Sequence, residues 1–195
     1  YRLCRMIKAK YSDFEPEGME NWEQEQSEER IQEADAKLKD IVSEMRGYIF
    51  AVFRTKYGDD KDAYWYRGVT DKALKAEAYK RSLDYEVDER LPLETYLEVV
   101  EMKRIVENRQ NWSLFKSVFN IPESGQKGLA KNLKWMDQIN ELRRIPAHPA
   151  KERRYRVEDF EYIDFIHEEL LKRIREAREN PIIDEEVGGA EEVNA

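Results

Sequence analysis

The chain has 195 residues, 39% charged and 41% hydrophobic, with a formal net charge of −8 and a single cysteine. That length suits one domain of ordinary size with tails, and the acidic balance argues against a protein that holds nucleic acid by bulk neutralisation of phosphates. Cys4 alone permits no disulfide and no cysteine cluster for zinc, and no apolar run approaches the ~20 residues that span a bilayer.

A reducing, cytoplasmic setting without membrane insertion is therefore expected. The 11 Tyr, 7 Phe and 4 Trp supply apolar area for a core. Residues 1–20 mix Arg2, Arg5, Lys8 and Lys10 with the breaker-rich Asp13-Phe14-Glu15-Pro16-Glu17-Gly18, and read as a linker or the end of a preceding domain. The first residue is Tyr1 rather than Met, so other domains of a longer parent chain are expected as partners. Residues 21–178 read as one helical domain and 179–195 as a disordered acidic tail.

From about Glu20 to Tyr57, Leu38, Ile41, Val42, Met45, Ile49, Val52 and Phe53 fall on one helical stripe. Gly58 suits a left-handed cap. Tyr64-Trp65-Tyr66 is expected in a short connection, either as a base-stacking surface or as a plug over one end of the core. Thr70 or Asp71 can cap a helix running to about Tyr85, and Leu91-Pro92 breaks the chain. Leu93 to Asn108 reads as helix with Leu97, Val100, Ile105 and Val106 in the core. Trp112, Phe115, Val118 and Phe119 mark a short amphipathic helix ending before Pro122.

Leu129, Leu133, Met136, Ile139 and Leu142 repeat at helical spacing up to Ile145, where Pro146 ends or kinks the helix. The last helix opens near Val157-Glu158-Asp159 and buries Phe160, Ile163, Ile166, Leu170 and Ile174. No alternating strand pattern competes with these stripes, so the expected fold is all-α, an antiparallel helical bundle.

The segment with chemistry is Glu141-Leu142-Arg143-Arg144-Ile145-Pro146-Ala147-His148-Pro149, in which Arg143 and His148 are spaced R-x4-H. A proline bend after Arg143 can fold His148 back beside the guanidinium. Arginine matches phosphate oxygens, and histidine moves a proton near neutral pH. Such a pair can cleave RNA without metal, and a two-fold homodimer would supply a second pair. Between Lys127 and Arg156 nine cations face three acids, a local charge of +6, so Arg144, Lys151, Arg153 and Arg154 are candidate RNA- or phosphate-binding residues. The structural alternatives are a helix-end cap for Arg143 and His148 and a solvated basic face. His167 reads either as a second proton donor or as a partly buried structural histidine. No spacing of His, Asp or Glu looks like a metal site, and no phosphate-loop or dinucleotide fingerprint appears, so no metal or cofactor is expected.

An all-α bundle with R-x4-H at a helix end resembles the HEPN superfamily (higher eukaryotes and prokaryotes nucleotide-binding). Arg143 matches the motif arginine, Ala147-His148-Pro149 its end and Glu141-Leu142 a frequent lead-in. Tyr57-Gly58 with Tyr64-Trp65, Asn111-Trp112-Ser113-Leu114-Phe115 and Trp135 to Leu142 resemble stretches of large HEPN domains appended to NTPase and defence proteins, over about residues 38–178. Arg144 departs from the usual Asn, and Pro146 stiffens the segment. The resemblance implies a metal-independent endoribonuclease that acts as a dimer in a defence or RNA-processing system, with Arg143 and His148 catalytic. The alternative within the family is a non-catalytic dimerisation or partner- or RNA-binding module.

Overall fold

The computed structural model describes residues 6, 7, 10, 11, 19–122, 128–145 and 155–180 and, except at residues 19–27 and 130, their side chains. The expected linker over 1–20 lies mostly outside the described residues, and the expected acidic tail lies outside them beyond Asn180. The helices are α1 (Met19–Tyr57), α2 (Ala63–Gly68), α3 (Lys72–Ser82), α4 (Val99–Glu107), α5 (Trp112–Phe119), α6 (Leu129–Asn132), α7 (Lys134–Arg143) and α8 (Val157–Glu179). Single 3-10 turns occupy Asp60–Asp62, Val87–Glu89 and Leu93–Tyr96, and no strand occurs among the described residues. The expected all-α class is the observed one.

The long helix α1 is the mast of the fold. Its predicted stripe is buried, with Val52 only partly so, and Ala34, Tyr48 and Phe50 widen the apolar face beyond the predicted line. Gly58, at φ +80°, takes the left-handed cap and donates its N–H to the Arg54 carbonyl at 2.8 Å. Lys61 and Asp62 are also left-handed, which reverses the chain sharply into α2. There Trp65 stacks on Phe50 with ring centroids 5.9 Å apart, and Tyr64 meets the same ring edge-on at 6.2 Å. Tyr64 and Trp65 are buried core residues on a helix, so the base-stacking alternative does not hold for them. Tyr66 alone is exposed, beside the Lys75 ammonium.

The helix α3 is capped as expected. The Asp71 carboxylate accepts from the N–H groups of Ala73 at 2.8 Å and Leu74 at 3.4 Å. The helix stops at Ser82, earlier than Tyr85. The predicted single helix over 93–108 is two elements, because Leu97 and Glu98 adopt extended backbone and Glu98 becomes the N-cap of α4. With the start moved to Val99, the inward face is Val99, Met102, Ile105 and Val106, and Val100 turns out to be exposed rather than core. A second split falls at Leu133 (φ −103°, ψ 6°), a buried residue whose side chain is used by the core while its backbone leaves the helix.

Packing also settles direction. Arg30 lies over the Phe160 ring at 4.7 Å, Lys37 pairs with Asp164 at 2.8 Å, Asp40 with His167 at 2.7 Å and Glu44 with Arg178 at 3.3 Å. The numbers rise together, so α1 and α8 run parallel, contrary to a uniformly antiparallel bundle. The short helices between them return the chain to the N-terminal part of α1 before α8 begins. In contrast, α4 and α7 are antiparallel, tied by Lys103–Asp137 at 2.7 Å at one end and Glu98–Arg143 at 3.4 Å at the other. Trp135 anchors α7 by stacking on Phe119 and donating its indole N–H to the Phe119 carbonyl at 3.1 Å.

Candidate functional site

The end of α7 carries Arg143, the member of the Arg143–His148 pair that lies among the described residues. Trp135, Met136, Ile139 and Leu142 are buried and fix the helix's inward face. Arg143, one residue beyond Leu142, therefore emerges at the boundary between core and solvent. The helix closes with tight turns, Arg144 N–H to the Glu141 carbonyl at 3.2 Å and Ile145 N–H to the Leu142 carbonyl at 3.1 Å. The Tyr155 hydroxyl donates to that same Leu142 carbonyl at 3.2 Å. Burial, then the nearby Asp35 and Asp159 charges, push this hydroxyl's pKa up to about 12, so it remains a donor at neutral pH.

Arg143 opens onto a polar cavity of about 340 Å³. Arg46 from the C-terminal half of α1, Arg81 from the end of α3 and Arg143 from the end of α7 all line it, with Asp84, Tyr85, Tyr96 and Glu98. The three guanidiniums differ in how they are balanced. Arg81 is held in a fork by both oxygens of the buried Glu101 carboxylate, at 2.6 and 2.9 Å, and donates to the Tyr96 carbonyl at 2.7 Å. Arg143 reaches Glu98 at 3.4 Å, its one acceptor among the described residues. Arg46 donates to the Leu97 carbonyl at 3.1 Å, and its buried Nε–H has no acceptor among the described residues. Burial holds the Arg46 pKa below the usual arginine range, the charge of Arg143 pushes the same way, and Glu98 and Glu94 pull against them.

The structure sorts the predicted residues. Arg143 is in the cavity wall. Arg144 is exposed and 3.8 Å from Glu141, outside the cavity lining. His148, Lys151, Arg153 and Arg154 lie outside the described residues. His167 has its Nε2 against the Asp40 carboxylate at 2.7 Å and does not line the cavity, which fits the structural alternative. Arg46, Arg81 and Glu98 were not singled out from the sequence. The available signal for Arg46 was its place between Met45 and Tyr48 on the edge of the apolar stripe.

A second hollow, of about 780 Å³, lies between α1, α5 and α8, with Tyr48, Val52, Leu114 and Ala177 in an apolar lining. Among the described residues no three His, Cys, Asp or Glu side chains converge as a metal-ligand set, and no helix is long and apolar enough to cross a membrane. Comparison with models of known families, with curated proteins and with solved structures gave no match.

Proposed function

We propose that this chain is a HEPN-like helical module of a larger cytoplasmic protein, in a defence or RNA-processing system, that engages RNA through Arg143 and cleaves it without metal. The observation that supports this reading is the position of Arg143: it closes α7 at the wall of an open polar cavity that two further arginines line. His148, the other member of the pair, lies outside the described residues and follows Arg143 by five positions in the sequence. The imidazole would take the proton of a ribose 2′-hydroxyl. The 2′-oxygen would then attack the adjacent phosphorus to form a 2′,3′-cyclic phosphate, breaking the bond to the 5′-oxygen, which would leave with a proton from water or from a protonated His148 of a second copy. Arg143 would offset the charge gathering on the phosphate oxygens. A homodimer would bring two such pairs together.

Two observations favour a second reading, a non-catalytic docking or RNA-binding module. Glu98 already engages Arg143, and the apolar hollow between α1, α5 and α8 offers a surface for a partner helix or a second copy. The test that separates the readings is incubation of the purified chain with RNA in EDTA, beside His148→Ala. Cleavage that falls by ~10²–10⁴-fold in the variant, as for loss of a general base, supports the endonuclease. No cleavage by either protein leaves the docking module. Sedimentation velocity reports the dimer.

A further inference from the structure

We infer that the cavity between α1, the 93–98 segment and α7 is a binding site for a single phosphate group, with the half-buried Arg46 as its anchor, Arg143 as its second cation and the Glu98 carboxylate as a built-in anion that the phosphate displaces. The inference builds on the reading above through Arg143, but it concerns binding and needs no cleavage.

The argument starts from an imbalance. Arg81 is fully engaged by Glu101 and a carbonyl, so it shapes the cavity without calling for a ligand. Arg46 and Arg143 line the same cavity, where burial first and the Arg143 charge second hold the Arg46 pKa below the usual arginine range. Two carboxylates line the same cavity: Glu98, at 3.4 Å from Arg143 and half exposed to water, and the exposed Asp84. Among the described residues neither Arg46 nor Arg143 is gripped by a bidentate carboxylate as Arg81 is, and an under-bonded, partly buried arginine gains from any acceptor that reaches it. A phosphate has oxygens enough to face both forks at once, and a second negative charge that Glu98 lacks. The volume of about 340 Å³ takes a phosphate group with part of what it is attached to. When the Glu98 side chain swings out, half of the α4 capping box remains, the Glu98 backbone N–H donating to the Glu101 carboxylate at 2.7 Å.

Isothermal titration with inorganic phosphate and with adenosine 5′-monophosphate tests the site. The wild type should bind both weakly. Glu98→Gln, which removes the competing charge at an exposed side chain, should bind about tenfold more tightly. Arg46→Lys, which keeps the charge but loses the fork, should bind about tenfold more weakly. Equal affinity for the two ligands would mark a site for the phosphate alone, and tighter binding of the nucleotide a site for a phosphorylated nucleoside. A Glu98→Gln protein no tighter than wild type overturns the inference, and it decides the matter even where Arg46→Lys fails to fold. Phosphate binding without RNA cleavage would remove the endonuclease and keep this site. His148-dependent cleavage with Glu98→Gln no tighter for phosphate would do the reverse.

Discussion

Replacing Gly68 with alanine tests how tightly α1 and α2 are joined. A Cβ built at Gly68 would stand 2.4 Å from Phe53 Cδ2 and 2.6 Å from both Cε2 and Cγ. Carbon atoms pack at about 3.5–4.0 Å, so the ring or the α2 backbone must move by about 1 Å. The ring has nowhere to go: Phe53 is fully buried, with Phe50, Tyr57 and Phe115 centroids at 5.8, 5.9 and 5.3 Å. Overpacking of this kind costs about 1–3 kcal/mol. Gly68 is the last residue of a six-residue helix, so little of the ~1 kcal/mol helix-propensity gain of alanine offsets it. Urea unfolding should therefore show Gly68→Ala destabilised by about 1–3 kcal/mol. In the double variant with Phe53→Leu, the cost of the alanine should shrink, since the flat ring it strikes is gone. A Gly68→Ala protein as stable as wild type, or an alanine cost unchanged in the Phe53→Leu background, would refute this account of the joint.

Two further outcomes follow from the polar groups beneath the surface. Asn111 is buried and donates to the carbonyls of Gly68 at 3.1 Å and Ile105 at 3.0 Å, so Asn111→Ala leaves both without that donor and should cost about 1–3 kcal/mol in the same urea assay. Burial alone would raise the Glu101 carboxyl, but the Arg81 fork and the Glu98 N–H outweigh it and hold its pKa below the ordinary 4.5. A depressed carboxyl contributes stability above its unfolded pKa and loses it as pH falls through the folded one. The melting-temperature gap between wild type and Glu101→Gln should be full at neutral pH and close as the pH falls below about 4.5; a gap that widens with acid would contradict the assignment.

The sequence made the helices legible wherever an apolar stripe was long. Leu38 to Phe53 and Ile163 to Ile174 were visible because burial on one side of a helix leaves a 3.6-residue imprint. The Asp71 cap and the Gly58 turn were visible because each uses a residue type with a specific backbone role. What escaped were decisions made by tertiary contacts. Nothing local marks Leu133 as a break, since its side chain continues the stripe while its backbone departs from it. Val100 looks like core until Glu98 is known to cap α4 and set its rotation. The direction of α8 relative to α1 depends on how six intervening helices fold back, which periodicity does not encode.

The site divides along the same line. Arg143 was legible because an arginine at a helix end before Ile145-Pro146 combines a sequence position with a chemistry. Arg46 was not, because the feature that sets it apart is what faces it. On α1 it is one cation among many, and in a helix this charged a solvated arginine is the ordinary reading. Only when α4 is capped at Glu98 does the Leu97 carbonyl turn to receive Arg46, and only when α7 packs antiparallel to α4 does Arg143 arrive beside it. The charged residues that line the cavity lie at positions 46, 81, 84, 98 and 143, on or beside four elements. A charge cluster so dispersed leaves no run in the sequence, whereas the +6 segment from 127 to 156, which does leave one, contributes Arg143 alone among its described residues to the cavity wall. Local charge density was therefore the weaker guide, and the helix end, a structural feature inferred from Pro146, was the stronger one.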